Sequence, residues 1–197
     1  MGLLSIIKKQ KLKDKEIRCL ILGLDNSGKS TIVNKILPEE ERAKNNEITP
    51  TIGFQIQSIE ISNHLITIWD IGGQNTLRPF WDNYFDKTDV LIWCIDSNVA
   101  IRFDESIKEL KNLIERDSDR IGYDCPIIVV LNKIDLLRSD SISEQKAVDK
   151  ISKLSQEIKT VLKIDENNTK YKFIQSSAIT GEGIQDITKY ILQSSYY

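Results

Sequence analysis

The feature that most limits the fold of this chain is an octet, Gly-Leu-Asp-Asn-Ser-Gly-Lys-Ser, at residues 23–30. It has the form G-x-x-x-x-G-K-[ST], and it lies between a β-branched run at 17–22 and helical apolar spacing that stops before Pro38. A strand, a glycine-rich loop and a helix in this order turn backbone N–H groups toward phosphate oxygens. The octet therefore predicts nucleoside triphosphate binding. The residues assigned to it are Gly23, Asp25, Asn26, Ser27, Gly28, Lys29, Ser30 and Thr31.

Apolar runs of strand length recur along the chain, and helical patterns fall between most of them. This alternation indicates an α/β protein with a mainly parallel six-stranded sheet and helices on both faces. Only Ser62, Asn63 and His64 join the second and third runs, which is too short for a crossover helix and predicts one antiparallel hairpin. The predicted strands are Ile17–Leu22, Phe54–Ile61, Leu65–Asp70, Val90–Asp96, Ile127–Leu131 and Tyr171–Gln175. The predicted helices are Ser30–Leu37, Leu77–Phe85, Phe103–Glu115, Ser143–Val161 and Ile184–Leu192.

Length and composition fit one globular domain. The chain has 197 residues and a formal net charge of -2, which gives no general sign of nucleic-acid binding. No apolar run approaches the ~20 residues of a membrane-spanning helix. Its three cysteines have apolar neighbours and are typical of reduced thiols in a cytoplasmic protein. We expect a nucleotide-binding domain at 17–197, preceded at 1–16 by an amphipathic helix and a basic linker, and a monomeric protein.

A second motif, Asn132-Lys133-Ile134-Asp135, predicts which base is bound. It ends an apolar strand, where ligands bind in open parallel sheets. Guanine presents N1–H and the N2 amino group as adjacent donors, and the carboxylate of Asp135 accepts from both. Asn132 would tie this loop to the phosphate loop, and the Lys133 stem would cover one face of the base. After the last predicted strand, Ser177 and Ala178 would offer a backbone N–H to guanine O6.

A third motif, Trp69-Asp70-Ile71-Gly72-Gly73-Gln74, indicates hydrolysis. Asp70 is expected to reach Mg²⁺ through water, together with the hydroxyl of Ser30. Gly73 would bring a backbone N–H to the γ-phosphate, and Gln74 is the candidate catalytic residue that orients the attacking water. Thr51 would join the Mg²⁺ ligands only while the γ-phosphate is present, which makes a switch.

Together these motifs resemble those of Ras-superfamily small GTPases, over residues 17–192, and of the Arf branch in particular. The resemblance depends on four motifs: the octet, Pro-Thr-Ile-Gly-Phe, Trp-Asp-Ile-Gly-Gly-Gln and Asn-Lys-Ile-Asp. Segments 1–6, 78–85 and 91–93 are most similar to the Arf-like two group, its yeast-type members included. The resemblance implies GTP, GDP and Mg²⁺ as ligands, slow hydrolysis without an activating protein, and exchange regulators. It also implies control of tubulin folding and microtubule biogenesis through tubulin-folding cofactors, in the cytoplasm or at microtubules.

The resemblance also gives expectations for the surface. Phe54, Trp69 and Tyr84 match an aromatic cluster between the switch segments and are candidates for a partner surface. Arg78 follows Gln74 by four residues and could lie near it, but a surface or partner contact is the expectation. The segment between Pro38 and Pro50, predicted as a long loop, is longer and more charged than is usual among Arf proteins.

The amino-terminus raises the question of a lipid. Gly2 is a candidate for N-myristoylation, but the pattern M-G-x-x-x-[ST] requires Ser or Thr where this chain has Ile6. The pattern thus argues against the lipid. The predicted helix has few apolar side chains, so any membrane contact is expected to be weak or absent.

Three alternatives stay open at this stage. The protein could be a nucleotide-gated scaffold with negligible hydrolysis, or an Arf-like regulator of membrane trafficking. An ATP-dependent kinase or ATPase would share the phosphate loop, but it conflicts with Asp135.

Overall fold

One sheet organises the part of the chain that the computed structural model describes, residues 16–86, 88–116, 125–138, 144–165 and 167–194. Its strands are β1 (Glu16–Leu22), β2 (Phe54–Ile61), β3 (His64–Ile71), β4 (Val90–Asp96), β5 (Ile127–Asn132) and β6 (Tyr171–Gln175). The helices are α1 (Lys29–Ile36), α2 (Ala100–Arg116), α3 (Ile134–Leu137), α4 (Glu144–Val161) and α5 (Ile184–Ser194). The predicted amino-terminal helix and linker lie outside the described residues, except for Glu16, and so does Gly2. No helix in the described ranges is long and apolar enough to cross a bilayer.

The strand order is β2-β3-β1-β4-β5-β6, and every neighbouring pair is parallel except β2 and β3. The β2–β3 pair runs from Phe54 opposite Ile71 to Ile61 opposite His64. Ser62 and Asn63 alone make the turn, with φ angles of 49° and 64°. Two positive φ angles in a two-residue loop are the geometry of a tight β-hairpin. The predicted hairpin is confirmed, with His64 as the first residue of β3 rather than part of the turn.

Both faces of the sheet carry a hydrophobic core, as predicted. Leu110 of α2 and Ile151 of α4 pack with Trp93 on one face. Ile32 of α1 and Ile187 of α5 pack on the other. All of these side chains are fully buried or nearly so, and each such burial stabilises the fold by ~1.5–3 kcal/mol. The central strands are therefore covered on both sides, which leaves the carboxyl edge of the sheet free for a site.

The segment predicted as a helix at 77–85 is a 3₁₀ helix, Arg78–Tyr84. Its hydrogen bonds are of the short i to i+3 kind, as from Phe80 N–H to the Leu77 carbonyl at 3.1 Å. Trp81 anchors it, because its indole N–H donates to the Gly72 carbonyl at 3.0 Å. The Trp81 ring also meets Trp93 edge-on, with centroids 5.5 Å apart. The predicted helix is therefore present in the tighter 3₁₀ form, with Trp81 as its buried anchor.

The polar segment between α1 and β2 is attached to α1 near its middle. The side-chain amide of Asn34 donates to the Ala43 carbonyl at 2.9 Å and accepts from the Ala43 N–H at 2.8 Å. Two short 3₁₀ turns, Glu39–Glu41 and Asn45–Glu47, lie on either side of this pair of bonds. The segment is thus a structured loop, in which Arg42 also donates to the Leu37 carbonyl at 2.8 Å.

The loops that follow β1, β3, β4, β5 and β6 all emerge at the carboxyl edge of the sheet. Strand β1 lies between β3 and β4 in the sheet. The strand order reverses there, so the topological switch point lies at the carboxyl end of β1. Open α/β sheets bind ligands at this point. The fold therefore brings all three sequence motifs to one place.

Candidate functional site

The phosphate loop curls over the end of β1 in a form that two of its glycines make possible. Gly23 and Gly28 have φ angles of 139° and 96°. A Cβ atom at Gly23 would overlap the Cys94 carbonyl oxygen, and one at Gly28 would overlap the side-chain amide of Asn132. Side chains at either position would therefore meet both backbone strain and direct contact. The loop must keep its glycines to stay this close to β4 and β5.

Lys29 lies buried under the loop, with 5% of its surface exposed. Its ammonium donates to the carbonyls of Gly23 and Leu24, at 3.0 and 2.8 Å. Burial lowers the pKa of Lys29, against the attraction of nearby groups that include Asp70. A buried ammonium whose hydrogen bonds go to neutral carbonyls is stabilised when an anionic group binds beside it. A phosphate group fits that requirement.

Three oxygen-bearing side chains from three segments meet beside Lys29. The hydroxyls of Ser30 and Thr51 are 2.8 Å apart, and Thr51 donates to Asp70 Oδ2 at 3.2 Å. The other carboxylate oxygen, Asp70 Oδ1, is buried and has no hydrogen-bond partner among the described residues. Burial raises the pKa of Asp70, although Ser30, Lys29 and Thr51 oppose the shift. Hydroxyl and carboxylate oxygens with an unpaired acceptor fit Mg²⁺, which prefers oxygen ligands.

The segment after β3 lies directly on the phosphate loop. The Gly73 carbonyl accepts from the Asp25 N–H at 3.1 Å, and Gly72 N–H donates to the Gly53 carbonyl at 2.9 Å. A Cβ atom at Gly73 would overlap the Gly23 carbonyl oxygen and the Asp25 nitrogen. Gln74, the next residue, is exposed. The structure thus places the candidate catalytic residue at the rim of the site, on a backbone fixed against the loop.

Asn132 joins the base-reading loop to the phosphate loop. Its amide donates to the Ser27 carbonyl at 2.8 Å. Its carbonyl oxygen accepts from the Ser176 hydroxyl and the Ala178 N–H, both at 3.1 Å. Because this side chain is 1% exposed, each of these bonds is shielded from water. The Ala178 N–H assigned to guanine O6 therefore already has an acceptor, which a bound base would share or replace.

Of the remaining base-reading residues, Lys133 and Asp135 lie at the start of α3 and Ser177 follows β6. Lys133 has a φ angle of 65° and its ammonium is 2.7 Å from Asp96 Oδ2, which fixes the course of its stem. Asp135 Oδ1 is buried, and within the described part of the chain it has no hydrogen-bond partner. Ser177 is buried, and its hydroxyl accepts from the Thr180 N–H at 3.1 Å. An unpaired carboxylate oxygen at this position fits the two donors of guanine.

Comparison with known proteins decides the family. The sequence model of the ADP-ribosylation factor (Arf) family matches residues 3–195. The chain belongs to the Arf family. It is a small GTPase, which hydrolyses GTP to GDP, and the resemblance drawn from its motifs is confirmed. Arf-family proteins bind guanine nucleotides with Mg²⁺ and are served by activating and exchange regulators.

Individual Arf-family relatives align along nearly the whole chain. Arf-like protein alp41 of Schizosaccharomyces pombe is 39% identical over 192 residues, which are 97% of this chain and 92% of that protein. Arf-like protein 2 of Arabidopsis thaliana is 39% identical over 196 residues, 98% of this chain and 95% of its own. Arf-like protein 2 of Dictyostelium discoideum is 40% identical over 187 residues, 94% of this chain and 91% of its own.

A solved Arf-family structure shows the same fold. The Arl6 (BBS3) small GTPase of Trypanosoma brucei, bound to the nucleotide analogue GppNp, superposes with a TM-score of 0.71 at 23% identity. The alignment covers 92% of this chain and 98% of that one. The predicted fold class, a mainly parallel six-stranded sheet with one antiparallel pair, is confirmed.

The Arf-type aromatic cluster is assembled between β2, β3 and the 3₁₀ helix. The Phe54 ring lies 5.5 Å from that of Trp69 and 5.6 Å from that of Tyr84, and the last two are 6.1 Å apart. Arg18 lies over the Trp69 ring at 4.1 Å. Phe54 is 47% exposed, whereas Trp69 and Tyr84 are partly buried and pack against the core, so the cluster reaches from the core to the surface.

A group of charged residues at the site was missed in the sequence. Arg78, expected at the surface, is 7% exposed and lies against carboxylates of α2. Arg102 of α2 donates to the carbonyl and the carboxylate of Asp25, at 2.8 and 2.6 Å. Burial acts to raise the pKa of Asp25, but the hydrogen bond and charge of Arg102 outweigh it, so the pKa is lowered. The signal that could have revealed the group is the spacing of charges at 102, 105 and 109, which places them on one helix face.

Proposed function

We propose that this protein is a GTP-dependent switch that regulates tubulin folding and microtubule biogenesis in the cytoplasm by binding tubulin-folding cofactors in its GTP form. One observation supports the switch above others. The Thr51 hydroxyl, at the end of the loop before β2, contacts both Ser30 and Asp70. A distant loop is thus placed where Thr51 would join Ser30 and Asp70 around Mg²⁺, so a change at the outer phosphates would change what holds this loop.

In this proposal the residues of the site have separate tasks. Ser30, Thr51 and Asp70 would hold Mg²⁺, which neutralises phosphate charge when bound. Lys29 and the loop backbone hold the phosphates, Asp135 reads the base, and the Gly73 N–H meets the γ-phosphate. Membership of the Arf family removes the ATP-dependent alternative.

The tubulin role is supported by similarity to proteins of the Arf-like two group. Relatives at 39–40% identity are named Arf-like protein 2, and their alignments cover at least nine-tenths of both chains. The surface that would recognise the partner is the aromatic cluster, because Phe54 is exposed and its strand follows the Thr51 loop. A change at Thr51 would therefore reach the cluster directly.

A nucleotide-dependent pull-down tests this role. Full-length protein is loaded with GDP or with a non-hydrolysable GTP analogue, immobilised, and incubated with purified tubulin-folding cofactors. We expect retention on the GTP-analogue form alone, and loss of it in Phe54→Ala. Ile101→Ala, which truncates an 88% exposed apolar side chain on α2, is the matched control and should bind as the wild type. Retention by neither nucleotide form would refute the tubulin assignment and favour the trafficking alternative.

The proposed task of Gln74 has its own test. We expect Gln74→Leu to bind GTP as the wild type does but to lose most hydrolysis stimulated by an activating protein, because leucine cannot orient water. The activating contribution in small GTPases is ~10³- to 10⁵-fold, so the loss should be large. Phosphate release from preloaded GTP measures it. An unchanged stimulated rate would show that Gln74 does not orient the water.

A further inference from the structure

The charged group missed in the sequence connects the phosphate loop, the segment after β3 and helix α2. We call it the arginine cluster. Its members are Asp25, Arg78, Arg102, Glu105 and Glu109. Arg102 secures Asp25, as described above, and lies 3.8 Å from Glu105. Arg78 is the most buried member, and its backbone acceptor lies in the segment after β3 rather than in the phosphate loop.

Arg78 binds three acceptors with one planar group. Its Nε–H donates to the Gly73 carbonyl at 3.1 Å. Its Nη1 donates to Glu105 Oε1 at 2.7 Å and to Glu109 Oε1 at 3.1 Å. A guanidinium is rigid, so carboxylates that fix one nitrogen also fix the direction of the others. Helix α2 therefore determines where the donor to Gly73 points.

The Gly73 carbonyl belongs to the peptide that joins Gly73 to Gln74. It accepts from Arg78 on one side and from the Asp25 N–H, at 3.1 Å, on the other. These two donors set the rotation of the peptide, which in turn sets the starting direction of the Gln74 side chain. The Gln74 side chain itself is exposed. Its position is therefore set through the backbone peptide that precedes it.

We propose that Arg78, held by Glu105 and Glu109 of α2, is a positioning residue for GTP hydrolysis that fixes the Gly73–Gln74 peptide against the phosphate loop. The proposal rests on the proposed function, because it acts through Gln74 and through the Gly73 N–H, which is joined to the anchored peptide at the Gly73 Cα. It makes α2 part of the hydrolytic apparatus although α2 lies outside all the nucleotide-binding motifs. A purely structural ion pair would stabilise the fold without changing hydrolysis.

Glu109 gives the sharpest test, because it contacts Arg78 and has no place in the nucleotide site. We expect Glu109→Gln to slow single-turnover hydrolysis of preloaded GTP by about tenfold, within the ~10²-fold that misplaced reacting groups can cost. The dissociation rate of a GTP analogue should rise relative to that of GDP, since only the former meets the Gly73 N–H. Glu115→Gln is the matched control on the same helix, where Glu115 pairs with Lys111 at 3.8 Å, and it should behave as the wild type.

A double-mutant cycle separates positioning from stability. In an Arg78→Lys background, which keeps the charge but loses the fork, Glu109→Gln should add little to the defect. Effects that multiply in the double variant would overturn the proposal. So would a wild-type hydrolysis rate and nucleotide ratio in Glu109→Gln, even with a lower melting temperature.

Gln74→Leu in the same assay distinguishes failure of the positioning role of Arg78 from failure of the proposed role of Gln74. If Gln74→Leu is slow and Glu109→Gln is not, the positioning proposal fails and the role of Gln74 stands. If Gln74→Leu hydrolyses at the wild-type rate, the proposed role of Gln74 fails, and positioning through it fails with it.

Discussion

Replacing Asp135 with asparagine is expected to exchange guanine preference for xanthine preference. Asp135 Oδ1 is buried and has no partner in the described ranges, in a position to accept from a bound base. Asparagine presents an amide donor where guanine also has one, whereas the C2 carbonyl of xanthine would accept from that amide. Two hydrogen bonds to a charged group are worth about 1.5–3 kcal/mol each. Affinity for GDP should therefore fall by ~10²- to 10⁴-fold.

Competition between GDP and XDP for the Mg²⁺-containing protein measures this exchange. Asp104→Asn, on the exposed surface of α2, is a control for loss of one carboxylate and should leave both affinities unchanged. Circular dichroism of Asp135→Asn shows whether the fold is intact. A variant that is folded and still prefers GDP as the wild type does would exclude Asp135 from base recognition.

Replacing Gly73 with alanine is expected to separate GDP binding from the response to GTP. The new Cβ would overlap the Gly23 carbonyl oxygen and the Asp25 nitrogen, so the segment must move away from the phosphate loop. Movement would remove the Gly73 N–H from the γ-phosphate and displace Gln74. We expect single-turnover hydrolysis to fall by ~10²-fold, the scale of loss for misplaced reacting groups. GDP has no γ-phosphate, and its affinity should change little.

Stopped-flow release of fluorescent GDP and of a fluorescent GTP analogue measures how tightly each nucleotide is held. Phosphate release measures single-turnover hydrolysis. Asn75→Ala alters an exposed side chain in the same segment and serves as the control. Equal losses of GDP and GTP-analogue affinity would contradict the assignment, because they would point to general damage of the phosphate loop.

Local sequence patterns were sufficient for most of the fold, and they selected nucleotide-site candidates that the fold brings to one edge of the sheet. The strands are continuous apolar runs, so their existence follows from periodicity, and the octet requires a strand before it and a helix after it. Helix α3, Ile134–Leu137, was not predicted because four residues are too few to show a helical period. The 3₁₀ winding of 78–84 depends on Trp81 reaching Gly72, which is a contact rather than a pattern.

The arginine cluster shows what a linear pattern cannot supply. Asp25, Arg78 and Glu109 are far apart in sequence, and each by itself is an ordinary surface charge. Their convergence depends on how α2 packs over β4 and how the segment after β3 folds back. The burial of Arg78 was therefore beyond prediction, although the carboxylates on one face of α2 were visible.

The attachment of Asn34 to Ala43 has a consequence for chain entropy. Closing a loop costs free energy that grows only with the logarithm of its length, by ~0.6 kcal/mol for each doubling. The Asn34 amide divides the long connection before β2, so the ordering of its first half is separate from the contact of Thr51 with Ser30 and Asp70. Residues could be added among the glutamates at 39–41 with little effect on how readily Thr51 docks. The charged part of this loop can thus vary in length, while the entropic cost of docking Thr51 against Ser30 and Asp70 stays the same.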